Sequence, residues 1–354
     1  MRTVRHILAV SASGLAAVLL IATVGCREDI QSPSSPESTG PTSATPPLEA
    51  AVAANSWTTR AAMPQFRDHF AIGAAANASG QWIVYVFGGN RSDGDTGLPG
   101  LSYNVATNTW TNLPNAFLPT ASTNGVGKNG STFYITGGES CCDVDFRTFN
   151  TTWAFQASTG KILQKANLPR ATKYGVSGVI NGKLYVVPGY CSGESVDPGH
   201  CVTGGFIRAL YRYDPSTNSW ISRAPPPHNH AGGASAVIAN KLYVVGNSSS
   251  RATYLDVYDP ASNTWQTKAS IPTGADQFHG ANLNEKFFVI AASFVSGSPT
   301  LSTKAYWYTP GTNTWSIRAA PPNGKAGPIV KVIINGTSRL FLPSGSGPSY
   351  LYTP

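Results

Sequence analysis

The chain has 354 residues, of which only 12% are charged, with 36 glycines, 26 prolines and a formal net charge of +8. Few charges and many turn residues exclude a helical bundle and favour a turn-rich all-β protein of one large or two ordinary domains. The positive balance suits nucleic acid, an anionic membrane surface or an acidic glycan, and the N-terminus removes the first of these by implying export.

Arg2 and Arg5 precede a mostly apolar, charge-free run from Ile7 to Val24, which ends in Thr23-Val24-Gly25-Cys26. Residues 1–26 therefore read as an export signal. The small residues before Cys26 resemble a lipobox, in which that cysteine is acylated and becomes the first residue of the mature chain. Ordinary cleavage and an uncleaved N-terminal anchor are the alternatives. All three place the rest of the chain outside the cytoplasm, periplasmic or at the cell surface. Residues 27–54 carry Pro33, Pro36, Pro41, Pro46 and Pro47 among serines and threonines, a composition that cannot bury enough apolar surface to fold and so reads as a tether.

From residue 55 to residue 354 one pattern recurs about every 50 residues. Its clearest copy is Tyr213-Asp214-Pro215-Ser216-Thr217-Asn218-Ser219-Trp220, followed by Pro225. Related copies run from Tyr103 to Trp110, from Tyr258 to Trp265 and from Tyr308 to Trp315. The most degenerate runs from Phe155 to Ile162, with isoleucine in place of tryptophan. Each period also holds a short apolar run with strong β propensity, mostly ending in glycine: Trp82–Gly89, Phe133–Gly138, Leu184–Gly189, Leu242–Gly246, Phe287–Ala291 and Leu340–Pro343. These are predicted second strands of four-stranded blades, with glycines where neighbouring backbones approach.

An aromatic-aliphatic strand ending in Gly-Gly, then Tyr-Asp, then Trp, resembles the kelch repeat. The resemblance covers residues 55 to 354 and implies a β-propeller. Tyr352-Thr353-Pro354 starts a turn that expects an anchor tryptophan, and Asn55-Ser56-Trp57 supplies one at the other end of the folded part. Anchors Trp57, Trp110, Ile162, Trp220, Trp265 and Trp315 then give six blades, the last closed by the N-terminal strand, which leaves no open sheet edge.

In kelch relatives the outer-to-inner connections and the second-to-third-strand loops share the face that usually binds ligands. Here the connections carry Arg67, Asp68 and His69; Arg170, Lys173 and Tyr174; His228 and His230; Asp276, Gln277 and His279; and Lys325. Arg67, His69, Arg170, Lys173, Tyr174, His228, His230, Asp276, Gln277 and His279 are expected to line a shared axial mouth. His228-x-His230 offers two imidazoles, too few for a metal site, so no metal or other cofactor is expected. The resemblance also reaches copper-dependent galactose oxidases, but their additional domains do not fit in this chain, and no matching constellation is legible. Asp93, Asp95, Glu139, Asp143, Asp145, Glu194 and Asp197 lie in second-to-third-strand loops and match no complete calcium loop, so they read as solvated charge. Cys191 and Cys201 bracket one loop and are expected to pair; the neighbours Cys141 and Cys142 leave their pairing open. A basic residue stands three positions after five of the anchors (Arg60, Lys165, Arg223, Lys268 and Arg318), where it deters strand addition or attracts anionic lipid.

No nucleophile–base pair, phosphate loop or metal set is legible. The expectation is a non-catalytic propeller tethered to the bacterial envelope that presents its loop-rich face to an envelope protein or a membrane-protein complex. One alternative is a sugar mutarotase or epimerase, since six-bladed exported kelch proteins include sialic-acid mutarotases. In that reading Arg67 or Arg170 binds a carboxylate and Asp276 or His279 moves a proton. The other alternative is glycan binding without turnover, with Tyr190 and Phe278 stacking on sugars.

Overall fold

The computed structural model describes residues 54–91, 98–118, 120–140, 147–192, 204–247, 250–296 and 301–354. Cys26, the expected signal segment, nearly all of the expected tether, Cys141, Cys142, Cys201, Asp93, Asp95, Asp143, Asp145, Glu194 and Asp197 lie outside the described residues. The described chain is all-β apart from one 3-10 turn at Pro322–Gly324.

The first strand, β1 (Ser56–Arg60), waits for the last. Blade one is β2 (Ala71–Ala76), β3 (Trp82–Phe87), β4 (Pro99–Asn104) and β5 (Thr109–Phe117). Blade two is β6 (Val126–Asn129), β7 (Thr132–Thr136), β8 (Thr152–Gln156) and β9 (Lys161–Lys165). Blade three has β10 (Val176–Ile180), β11 (Lys183–Val187), β14 (Leu210–Asp214) and β15 (Ser219–Arg223); β12 (Tyr190–Cys191) and β13 (Gly205–Phe206) pair within its second-to-third-strand loop. Blade four is β16 (Ala234–Ile238), β17 (Lys241–Asn247), β18 (Ala252–Asp259) and β19 (Thr264–Lys268). Blade five is β20 (Gln277–Leu283), β21 (Lys286–Phe294), β22 (Leu301–Thr309) and β23 (Thr314–Arg318). Blade six joins β24 (Val330–Ile334), β25 (Thr337–Leu342) and β26 (Ser349–Thr353) to β1, with Trp57 opposite Tyr352. This is the six-bladed propeller expected, closed by its N-terminal strand.

The repeat signature makes one polar clamp between neighbouring blades. After the third strand, Asn218 takes a left-handed backbone with φ 49°, which asparagine tolerates better than most residues. Its Oδ1 accepts from Tyr213 Oη at 2.6 Å and from the backbone N–H of Ala166 in blade two at 2.9 Å. Trp220 Nε1 then donates to the carbonyl of the same Ala166 at 2.8 Å. Asn108, Asn263 and Asn313 repeat this with Ala61, Ala224 and Ala269. At the ring closure Asn55 does so with Tyr352 from the other end of the chain, while Trp57 and Asn55 both hold Ala319. Blade two has Phe155, Gly160 and Ile162 at the three positions, so it cannot make the clamp on blade one. That interface is filled instead by Tyr85, Phe87, Phe133 and Phe155, whose ring centroids lie 4.9–6.4 Å apart.

Two of the basic residues after the anchors reach aromatic side chains. Arg223 Nε donates to Tyr258 Oη at 3.1 Å. Arg318 lies over the Trp307 ring, 4.3 Å from its centroid. Like other long cationic side chains, they cover apolar surface with the stem and place the head at its edge.

Candidate site at the axial mouth

The outer-to-inner connections are laced together before any side chain is considered. His69, Ser122 and Tyr174 hold left-handed backbones at φ 52–55°. The carbonyl of each accepts from the next connection: Ser122 N–H to His69, Tyr174 N–H to Ser122 and Gly232 N–H to Tyr174, at 2.7–2.9 Å. The residue before each turn bridges to its own blade's second-to-third-strand loop, as Asp68 with Asn90, Ala121 with Glu139 and Lys173 with Tyr190. The Gly-Gly pairs make room for this lacing. A Cβ on Gly88 would stand 2.0 Å from Thr120 O, and one on Gly137 2.2 Å from Thr172 O.

On this frame, side chains from four blades meet at the axis. Asp68 Oδ2 lies 3.2 Å from His69 Nδ1, and Asp68 Oδ1 accepts the His69 backbone N–H at 2.8 Å. The hydrogen bond from His69 is the largest influence holding the Asp68 carboxyl below its ordinary range. The same bond pushes the His69 imidazole above its ordinary value, against the effect of burial, with help from the charges of Asp68 and Glu139. The His69 ring meets Tyr174 edge-on at 5.9 Å. Lys173 forms an ion pair with Glu139, both side chains about nine-tenths buried, and its ammonium lies 5.4 Å and 5.9 Å from the Tyr174 and Tyr190 rings. His279, on the inner strand of blade five, is pushed down to about 4, first by burial and then by the charge of His69, with Asp68 opposing. Its Nε2 is buried and has no hydrogen-bond partner among the described residues. The mouth thus holds a carboxylate–imidazole pair, a buried ion pair and a neutral imidazole. Together these can accept and donate hydrogen bonds to a polar ligand, and the first can exchange a proton.

Of the expected residues, the structure brings His69, Lys173, Tyr174 and His279 together; Glu139, expected as solvated charge, joins them. Gln277 opens β20, half-buried. Five others go elsewhere. Arg67 is fully buried, donating to Gly88 O and Pro99 O at 2.8 Å each, and the burial lowers it to about 10. It braces blade one and does not line the mouth. His228 and His230 turn to blade four's third strand, where Nδ1 of the first and Nε2 of the second meet Asp256 Oδ2 at 2.9 and 3.0 Å. Asp256 also accepts from Thr267 at 2.7 Å; burial works to raise its carboxyl, but the hydrogen bonds win and it sits below its ordinary value. Asp276 makes two 3.1 Å contacts to Arg251. Arg170 is exposed, and its charge reaches Tyr211 of the third strand. Phe278 is buried, with its ring where a Cβ on Gly246 would fall, so it cannot stack on a sugar. Tyr190 packs edge-on against Phe206, which is 45% exposed.

The sequence held a signal for Asp256: it lies two residues before the clamp tyrosine, where the other blades have Leu101, Trp153, Tyr211, Tyr306 and Tyr350. Among the described residues no three His, Cys, Asp or Glu side chains gather as a metal set.

With the fold and the mouth in place, the chain can be set beside known proteins. No curated protein matches it. Among solved structures it is similar to one titled "Structure of YjhT", with a TM-score of 0.61 and 16% identity over 83% of this chain and 97% of that one, a likeness of fold. The model of the KLHDC2/KLHL20/DRC7 Kelch-repeats domain matches residues 73–291, more than half of the chain. The ragged glycine pairs and the missing tryptophan of blade two notwithstanding, the chain belongs to that kelch-repeat family.

Proposed function

We propose that this protein is a binding propeller, tethered to the bacterial envelope through its N-terminus, whose axial mouth engages an envelope protein or a membrane-protein complex. The observation that carries this reading is the convergence of Asp68, His69, Glu139, Lys173, Tyr174 and His279 from four blades on one laced rim. Loops on a rigid frame are where recognition residues collect. The charge-free run ending at Cys26 supports acylation there and a membrane-held spacer over residues 27–54. An exported chain also favours a bridge between Cys191, which is buried beside Ala171 and Ile207, and Cys201. Closing that loop would contribute about 2–3 kcal/mol in the chain-entropy model.

The Asp68–His69 pair favours a second reading, a sugar mutarotase, because ring opening needs a proton acceptor and donor at one pocket. Arg67 is spent on backbone carbonyls and Arg170 sits away from the mouth, so Lys173 is the cation this reading would use for a substrate carboxylate.

The test is affinity purification of the tethered protein from native membranes. His69→Asn and Tyr174→Asn are combined because asparagine keeps the left-handed backbone. The double variant should lose a stoichiometric partner at least tenfold with little change in melting temperature, while Lys268→Ala on an outer strand retains it. Loss in the control and retention in the double variant would defeat the axial reading. Recovery of the propeller alone, with anomer exchange of an added sugar seen by NMR and lost on His69→Asn, would establish the mutarotase in its place.

A further inference from the structure

Away from the axis, the loop face carries a cavity of about 370 Å³ between blades four and five. Arg251, Thr273, Ala291, Ser293, Ser302 and Lys304 line it. The repeat relates one of its lining residues to the other blades. Arg67, His230 and Ala275 occupy one position, six residues ahead of the inner-strand residues Gly73, Ala236 and Ala281. Those three pair alike with the second strand, opposite Tyr85, Tyr243 and Phe288. In blade one the Arg67 side chain fills the space under the connection and donates to Gly88 O. In blade four His230 fills it, with Nδ1 2.9 Å from Gly246 O. In blade five the residue matching Gly88 and Gly246 is Ala291, which lines the cavity, while Ala275 is fully buried in the same core cluster as Phe278.

The walls of this space are chemically one-sided. Arg251 is oriented by two contacts to Asp276, from Nε and Nη2 at 3.1 Å each. Asp276 is fixed in turn by the Phe294 backbone N–H at 2.8 Å. Across the cavity Lys304 Nζ donates to Thr273 Oγ1 at 3.5 Å, and Thr273 Oγ1 lies 2.8 Å from Tyr306 Oη. Ser293 and Ser302 stand directly opposite each other on β21 and β22. Two cations against one carboxylate leave the site net positive, and three hydroxyl residues line it. The volume lies in the range of small-molecule sites.

We infer that this cavity between blades four and five forms a binding site for a small organic oxyanion, a carboxylate or phosphate ester carrying hydroxyl groups, separate from the axial mouth. The guanidinium, pre-oriented by Asp276, and the Lys304 ammonium hold the charge, and Thr273, Ser293 and Ser302 meet the hydroxyls. Failure of the axial reading leaves this site untouched, because none of its lining residues belongs to the mouth.

Isothermal titration of the propeller with gluconate, inorganic phosphate and neutral sorbitol tests the site. Saturable binding of gluconate, phosphate or both is expected, and which of them binds separates the carboxylate source from the phosphate source; sorbitol should bind at least tenfold more weakly. Lys304→Gln should raise the dissociation constant at least tenfold, and Ser293→Leu, which blocks the cavity at its rim, should abolish binding. Ser302→Leu, opposite Ser293 on the neighbouring strand, stands in should that variant fail to fold. Lys268→Ala should match the wild type. The inference is overturned if neither anion saturates the wild type, if sorbitol binds as tightly as the anions, or if Lys304→Gln and Ser293→Leu both leave affinity within twofold.

Discussion

Blade two and the other five blades solve the same packing problem by different chemistry. Five interfaces are fastened by a tryptophan, an asparagine and a tyrosine that together satisfy one alanine's backbone groups in the neighbouring blade. At the interface of blades one and two all three partners are replaced together, by Ile162, Gly160 and Phe155. The joint replacement is what the physics requires. A buried tyrosine hydroxyl without its asparagine would be left unsatisfied, whereas an apolar set of similar shape is tolerated. The difference teaches that the clamp is a unit, and that aromatic packing can stand in for it only when the whole unit goes.

The largest effect that tests this is on the anchor. Trp220→Ala should cost about 3–5 kcal/mol, read as a fall in the denaturant midpoint, because it removes a large aromatic and the hydrogen bond to Ala166. Ile162→Ala, at a half-buried position without that bond, should cost about 1–2 kcal/mol. Equal losses would show that the indole contributes by area alone.

Next comes the asparagine. Asn218→Ala should cost about 2–3 kcal/mol in equilibrium unfolding, since it strands Tyr213 Oη and the Ala166 N–H and leaves alanine in a left-handed backbone. A loss no greater than that of an exposed surface change would mean that the turn is not held by its side chain.

The sharpest test rebuilds the unit in blade two. Phe155→Tyr alone should destabilise by about 1–2 kcal/mol by burying a hydroxyl without a partner. Adding Gly160→Asn should recover most of that loss, because Gly160 already has φ 69° and stands five residues after Phe155, as Asn218 does after Tyr213. A double variant no better than the single one would break the analogy between the blades.

The smallest expected effect lies at the mouth. The folded protein holds His279 near 4 while the unfolded chain titrates near 6.5, so the unfolded state binds more protons between those values. His279 therefore lowers stability progressively as pH falls from 6.5 toward 4. His69, raised by Asp68, acts in the opposite sense: its contribution is complete below 6.5 and lost as pH rises through its raised value. Melting temperature followed against pH should flatten between 4 and 6.5 for His279→Gln, while His69→Asn should remove a fall in stability as pH rises above 6.5. The same profile for both variants and the wild type would remove any electrostatic role for the pair.

The repeat, the blade count and the anchors were legible because they depend on local pattern. A strand with apolar residues on both faces, a tight turn and an aromatic at fixed spacing carry the same meaning wherever they occur. Even the closure could be read, from Trp57 completing the turn that begins at Tyr352. Only part of the site was legible. His69, Lys173, Tyr174 and His279 meet at the axis as their place in the connections implied, but Arg67, His228, His230 and Asp276 lie in the same connections and turn away.

Residue type and spacing within the repeat thus determined which segments form strands and how six blades close, since each blade's burial is decided within about 50 residues and its immediate neighbour. Where a connection's polar side chain points was decided only by the tertiary structure. A buried donor goes to whichever acceptor the fold leaves unpaired, and those acceptors come from other strands. Gly88 O and Pro99 O draw Arg67 into blade one, Asp256 draws both histidines into blade four, and Arg251 draws Asp276 toward blade four. None of these partners is near in sequence, so even where one stood out, as Asp256 did, no local pattern could have paired it with its donor.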